Sequence, residues 1–513
     1  MAIAEAPAMI DLEKLGEYLQ PPGAMLGVSE IGAIAGAIAR SANSDGDVFK
    51  QFPGRFREAG YKDNEAYWVP SERSNGAWRR TTPLTIADIA DELVNLLRSG
   101  SHQNQTDADV AKILAVATSA ASRLVAAAND ASRHEPRTVP AAWATGAPVR
   151  EVERADGSWV RLRDGKQLID ASSGLWNVPL GHGHPAPLAE FIAQCAIGPT
   201  LNPFTQTSAV LDSLSERLTS LADLQGGRVF YCSSGSEAVE VALRLSLAIC
   251  GQESAVWAQP GAFHGASMGA AMLTSFPSVW REFMRMERFV KHAPPNAWKA
   301  PGIGFFEPIR IGGGVSRTTG QDALRSFHAA GGLLIADEIA SGLGRTYWPL
   351  AARQLNIPYD IVLLGKGLTN GVVPLSCVVM SSEVVERLRD LGTDFGHTHS
   401  NHLGGAAAAQ GALAELEGLD HSRFGTALAT AVSGVEPTAR IEGSIAAVDL
   451  QRPHERSVVD ECLYEAGLAI HLPTVAQHVR HLTIAPPLTT DDATLAELAI
   501  RLRYTLELLD ARP

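Results

Sequence analysis

The chain has 513 residues, 45% of them apolar and 19% charged, which excludes a disordered protein and leaves room for two or three domains. Its formal net charge of −13 argues against nucleic acid or an anionic membrane surface as the main partner. Five scattered cysteines (Cys195, Cys232, Cys250, Cys377, Cys462) show no zinc-type spacing. With no basic-then-apolar leader and no apolar stretch of about 20 residues, they predict reduced thiols in a cytoplasmic protein, with no bound metal.

Residues 1–135 read differently from the rest. Apolar residues recur at helical spacing over 31–39, 86–97 and 110–118, with Thr85 and Thr106-Asp107 as candidate caps. Between the first two lies an irregular stretch around Tyr67-Trp68 and Trp78-Arg79-Arg80. No catalytic constellation stands out here. A small helical domain or a dimer-stabilising extension, and a recognition module for a carrier or peptide substrate, are all open. The polar joint Asp130–Arg137 closes the region.

Residues 149–165 predict two short strands joined by an Asp-Gly turn. Glycine-rich turns, short apolar strands and helical stretches then alternate to about residue 415, the pattern of an α/β domain on a mostly parallel sheet. A smaller α+β segment follows and ends in a helix over 492–509. The division is therefore 1–135, 136–415 and 416–513.

Four features along the α/β region carry chemistry. In Tyr231–Leu245 a strand, a small-residue turn and a helix succeed one another. Gly235 and Ser236 would open the helix, where free N–H groups and the helix dipole suit a phosphate, although Ser-rich caps are common without one. Phe263-His264-Gly265 sets an aromatic beside a tight turn, either to stack on a flat ring or simply as core. Asp337 ends the apolar run 332–336, where α/β sheets gather their ligands. A carboxylate there needs a cation, such as a protonated pyridine nitrogen, and Ile339 would share its face; an acidic helix cap is the alternative. Lys366 lies between the apolar run 361–364 and a glycine-rich turn, a setting that lowers an amine pKa by desolvation, though a lone loop lysine is usually a surface charge.

In this order, these motifs resemble the class III aminotransferases, pyridoxal-phosphate enzymes of fold type I, from about residue 140 to the C-terminus. Ser234-Gly-Ser-Glu-Ala238 is similar to the family's phosphate turn, and Phe263-His-Gly265 to its ring-stacking motif. Phe306-Glu-Pro308, the block 336–346 and Gly365-Lys-Gly-Leu368 also match, as does the spacing from Asp337 to Lys366. The resemblance implies an α/β fold: a large domain with a mostly parallel seven-stranded sheet, a small split α+β domain, and a homodimer with active sites at the interface. It further implies a Schiff-base lysine at Lys366, a pyridine partner at Asp337, and cofactor contacts from Gly235, Ser236, Phe263, His264 and Ile339. Thr398, in His397–His402, would reach the phosphate of the neighbouring subunit.

The implied reaction moves an amino group from an amine donor to a carbonyl acceptor, with Lys366 shuttling the proton. Aminomutase, decarboxylase, racemase or lyase chemistry on the same cofactor, and a cofactor-binding protein without turnover, remain alternatives. Departures from the pattern bear on substrate. Trp176 matches an aromatic that lines the pocket in members acting on amines without an α-carboxylate; a core tryptophan is the alternative. His471 stands where many such members have a carboxylate-clamping arginine, and is only partly charged near neutral pH. Arg480 is near in sequence and is a candidate substitute. Leu403 replaces a proline and Tyr347 a glycine, which leaves two loop geometries open. The expectation is a transaminase for an amine or ketone that is not a plain α-amino acid, in specialised or modified-peptide metabolism, with a small or tethered substrate.

Overall fold

The computed structural model describes residues 69–74, 77–82, 149–276, 289–392, 396–472 and 478–512. The chain forms two compact units: Met1–Thr138 with Leu188–Pro199, and Val139–Pro187 with Thr200–Pro513. In the first unit, strands β1 (Val69–Ser74) and β2 (Ala77–Thr82) pair antiparallel. The stretch around Trp78-Arg79-Arg80 is thus a strand, not irregular. The sequence between the strands, Asn75-Gly76, is of the kind that joins hairpins, a signal the helical periodicity on either side obscured. The helices expected over 31–39, 86–97 and 110–118, and Tyr67-Trp68, lie outside the described residues.

The second unit opens with the expected pair β3 (Val152–Asp156) and β4 (Trp159–Leu162), which a further strand, β5 (Gln167–Asp170), extends into an antiparallel meander. Its central sheet has seven strands: β6 (Arg228–Cys232), β7 (Val256–Ala258), β8 (Val290–His292), β9 (Ile303–Phe306), β12 (Leu333–Asp337), β13 (Ile361–Leu364) and β14 (Ser376–Met380). Between β9 and β12 runs a small hairpin, β10 (Ile309–Arg310) with β11 (Ser316–Arg317). The spatial order is β6-β14-β13-β12-β9-β7-β8, and β14 runs antiparallel to both its neighbours while the other pairs are parallel.

The central strands are apolar without interruption because both faces of the sheet are covered. Leu334, Ala336, Val362, Leu364 and Phe306 face one core with α1 (Ala209–Leu221). Leu333, Ile335, Ile361, Leu363 and Phe305 face the other core with α2 (Gly235–Cys250). Asp337 continues the second parity, so its side chain emerges on the α2 face at the carboxyl end of β12. That is where the parallel strands place their ligands.

Past the sheet, α3 (Leu403–Glu417) packs its alanines into the first core. The remainder contains β15 (Arg440–Glu442), β16 (Ile445–Glu455), α4 (Arg456–Ala466), β17 (Leu468–Ala469), β18 (His478–Ile484) and α5 (Asp492–Ala511). Strands β15, β16 and β18 form one antiparallel sheet, while β17 joins β5 in parallel. The expected C-terminal helix is present: the Asp491 carboxylate accepts from Thr494 N at 2.6 Å, and Leu495, Leu498, Leu502 and Leu509 are buried. All five cysteines are unpaired. No helix among the described residues is long and apolar enough to cross a membrane.

Candidate active site

Five strand ends converge. Behind β12, Asp337 is buried, with one carboxylate oxygen 2.7 Å from Nδ1 of the fully buried His264 and the other accepting the Ile339 N–H at 3.1 Å. Burial is the largest influence on His264 and disfavours its charge. The hydrogen bond and the negative charge of Asp337 overcome it, so the imidazole pKa is raised. Its Nε2 is buried without a partner. His264 is therefore the group that holds Asp337.

The turn after β6 starts α2. Ser234 caps the helix by accepting from Glu237 N at 3.2 Å, and Glu237 reaches back to Ser233 N at 2.7 Å, a reciprocal cap that fixes the entry of the chain. Gly235 and Ser236 follow in the first turn, where N–H groups have no intrahelical acceptor. The Ser236 hydroxyl accepts from Ala266 N at 3.2 Å, which ties this turn to the Phe263 loop. Ile339 bridges the other way: a Cβ on Gly235 would meet its Cδ1 at 3.1 Å, and one on Gly365 would meet its Cγ2 at 3.5 Å. Phe263 is 41% exposed, and its N–H is anchored on Glu307 at 2.8 Å.

Lys366 starts the short turn after β13 with a left-handed backbone, φ 46°. Burial lowers its pKa, and the charges of Asp337 and Glu307 only partly restore it. Its Nζ stands 5.2 Å from the centre of the Trp176 ring. Glu307 follows the end of β9, and the Phe306-Glu-Pro308 match alone assigns this acid no role. The strand-end rule that found Asp337 applies equally to Glu307. Burial pushes its carboxyl up to about 7, against the charges of His264 and Lys366.

Trp176 belongs to a left-handed turn, with φ 48° at Ser173 and 61° at Trp176. Asp170 builds that turn, accepting from Ser172 N at 3.0 Å, Gly174 N at 2.6 Å and His182 Nε2 at 2.6 Å. Buried Arg345 clamps it from behind, through Ser173 Oγ at 3.0 Å and the Pro486 carbonyl at 2.8 Å. The His471 ring meets Trp176 edge-on at 5.7 Å, and the His471 backbone N–H donates to Ser172 Oγ at 2.7 Å. Burial, then the charges of Arg456 and Lys366, push the His471 pKa down to about 4. It is neutral at pH 7, where the sequence suggested partial charge.

Three expectations lie at the margin. Thr398 is exposed on the turn before α3. Its neighbour His397 places Nε2 3.2 Å from Glu237. Cys232, Glu237 and His397 converge, but both Glu237 oxygens are engaged and burial holds the Cys232 thiol protonated. Arg480 is exposed on β18, and no contact among the described residues links it to Lys366. At the two departures, His402 caps α3 through Gly405 N at 2.9 Å without needing proline, and the Tyr347 hydroxyl donates to Glu442 at 2.7 Å.

The family profile "Aminotransferase class-III" matches residues 141–301 and 305–506. Acetylornithine aminotransferase of Streptomyces clavuligerus is 32% identical over 271 residues, covering 51% of this chain and 65% of that protein, so the match spans less than two thirds of it. Adenosylmethionine-8-amino-7-oxononanoate aminotransferase of Synechococcus elongatus is 32% identical over 352 residues, 58% of this chain and 81% of the relative. Among solved structures, a transaminase from a marine Virgibacillus superposes with TM-score 0.65 at 22% identity, covering 76% of this chain and 99% of that one. An (S)-enantioselective omega-transaminase from Thermomicrobium roseum gives 0.64 at 24%, with 76% and 99% covered; at these identities the two establish the fold.

The family's cofactor is pyridoxal 5′-phosphate. The donor set fits it: free helix N–H groups at one end, a buried carboxylate held by His264 at the other, and a desolvated amine between them. By sequence and by fold, this chain belongs to the class-III aminotransferase family.

Proposed function

We propose that the protein moves an amino group from an amine donor to a ketone or aldehyde acceptor, using pyridoxal phosphate and its pyridoxamine form. The observation that carries this is Lys366, desolvated yet flanked by Asp337 and Glu307, at the mouth of a sheet whose other strand ends supply an anion site. The cofactor supplies an aldehyde carbon for the amine and a ring that withdraws electrons from it. Gly235 and Ser236 would bind its phosphate through backbone N–H groups. Asp337, fixed by His264, would keep the ring nitrogen protonated. Ile339 and Phe263 would hold the ring. Lys366 Nζ, its pKa lowered, takes and returns the proton at the reacting carbon. Trp176 and the neutral His471 border the substrate.

This reading extends to a homodimer in which Thr398 reaches the partner's phosphate. The exposure of Leu175, Phe204, Phe263 and Met268 supports such a covered face. It also takes residues 136–415 as the start of a small domain plus the cofactor-binding domain, 416–513 as the rest of the small domain, and the cytoplasm as the location. Residues 1–135 serve as an accessory region, with a carrier- or peptide-tethered substrate as one use.

The test is spectroscopic. The purified protein with cofactor should absorb near the visible edge, lose that band on adding an amine, and regain it with a keto acid. Lys366→Ala should abolish the cycle, with a loss of at least about 10³-fold in turnover. A wild-type protein that never develops the band sinks the reading.

A further inference from the structure

Apart from the reacting groups, three donor side chains meet at the carboxyl end of β6. Phe230 and Cys232 are two residues apart on that strand, so their side chains share the face that α2 covers. His397, on the turn before α3, sets its ring edge-on to Phe230 at 6.1 Å. Its backbone N–H donates to Ser400 Oγ at 3.1 Å, which braces the turn locally. The ring is held beside Cys232, and Glu237 enters from the first turn of α2. One ligand atom from each residue (a sulfur, a carboxylate oxygen and an imidazole nitrogen) lies within 4.8 Å of the other two. Sequence spacing hides this set, because His397 arrives from a remote turn.

The contact between His397 and Glu237 is close but is not a hydrogen bond. Nε2 stands 3.2 Å from Oε1, yet it is buried with no hydrogen-bond partner. The second carboxylate oxygen, Oε2, is occupied by the Ser233 N–H at 2.7 Å. Oε1 and Nε2 thus stand side by side without bonding each other. A nitrogen and an oxygen on one tetrahedral zinc, with bonds of about 2.0–2.2 Å, sit about 3.3 Å apart. Their separation in the fold is already that of two ligands sharing a cation. The sulfur needs to close by no more than about 1 Å to join them.

We propose that Cys232, Glu237 and His397 bind a divalent cation of the zinc class, with the fourth position left to water. A thiolate, an imidazole and a carboxylate together favour zinc over magnesium or calcium, which take oxygen ligands. In the metal-free protein burial keeps the Cys232 thiol protonated. As the zinc–sulfur bond forms, that proton passes to solvent. Glu237 keeps its capping role, because Oε2 stays on the Ser233 N–H while Oε1 takes the metal. The ion ties the turn of Gly235 and Ser236 to the turn of Thr398, two segments far apart in sequence. The site is independent of the amino-transfer reading.

The experiment measures metal uptake by the cofactor-loaded protein, with zinc sulfate and cobalt(II) chloride as probes. Protein dialysed against zinc and then against metal-free buffer should retain about one zinc per chain. Cobalt(II) in its place should show the visible bands of a four-coordinate ion and a sulfur-to-cobalt charge-transfer band. Cys232→Ser and His397→Phe should each weaken zinc binding at least about ten-fold while the cofactor band persists. His397→Phe keeps a ring against Phe230, so it separates ligation from packing. Cys250→Ser, at a thiol outside the cluster, should leave uptake unchanged. Wild type that retains no zinc, a cobalt adduct without the sulfur band, undiminished binding in both cluster variants, or uptake lost in Cys250→Ser overturns the proposal. Loss of the cofactor band in both cluster variants overturns it too, because the two side chains would then be supports of the Gly235 turn. Uptake is read without turnover, so none of these results touches amino transfer.

Discussion

Glu307 shows how burial at this site turns into pH dependence. Its carboxyl rises from an ordinary 4.5 to about 7 because burial outweighs the nearby charges. The folded chain therefore keeps a proton that the unfolded chain has lost between those two values. Stability from this group is complete below about pH 4.5 and is lost as the pH rises towards 7. Glu338, also pushed up to about 7 by burial, acts in the same direction. Thermal melts of the cofactor-free protein should show a decline between about pH 5 and 7, and Glu307→Gln should flatten it by about 1–3 kcal/mol. An equally steep profile in the variant would mean that the carboxyl ionises freely in the folded state. At this scale the sequence was a good guide wherever a residue sits at a strand end, as with Asp337, Lys366 and Gly235. It misplaced the charge of His471, because burial is not visible in one chain position.

Among the elements, those with apolar runs and side-chain caps were legible: β12, α2 and α5 follow from residues next to one another. The antiparallel direction of β14 was not, since direction depends on where the chain returns rather than on Ser376–Met380 themselves. Nor was the entrance turn, where Ser173 and Trp176 hold left-handed backbones that Asp170 and Arg345 impose from a distance. The start of α3 offers a direct check. His402 replaces the usual short capping side chains, and its imidazole carries the first-turn N–H of Gly405. His402→Ala should cost about 1 kcal/mol in thermal or urea unfolding, and His402→Asn should recover most of it. Equal stability of all three proteins would mean that the cap carries no weight, and that the Thr398 turn is held by other contacts.

On the scale of the whole molecule, every residue assigned to the site falls within Val139–Pro187 and Thr200–Pro513. A protein beginning at residue 139 should thus retain the cofactor band and turn over small amines. Should the first 138 residues serve a tethered substrate, turnover on that natural substrate alone would drop; full turnover on it would remove that role. Loss of the band on truncation would mean that the site needs the first unit to form. Light scattering on the same two proteins would report whether each is a dimer, as proposed from the exposed Leu175, Phe204 and Met268.

The wedge of Ile339 between Gly235 and Gly365 has a consequence for how this sequence can drift. Positions 235 and 339 share one small volume, so neither grows alone, while 365 is confined chiefly by Ser376, whose Oγ a Cβ there would meet at 2.4 Å. An alanine at 235 would meet both Cδ1 and Cγ2 of Ile339, at 3.1 and 3.2 Å, so valine at 339 relieves only the first of these contacts, and a bulkier residue at 339 would press on the Gly235 turn. Directed evolution aimed at the substrate pocket therefore has freedom around Trp176 and His471. Changes at 235 and 339 will survive only in compensating sets, and one at 365 only with a change at 376.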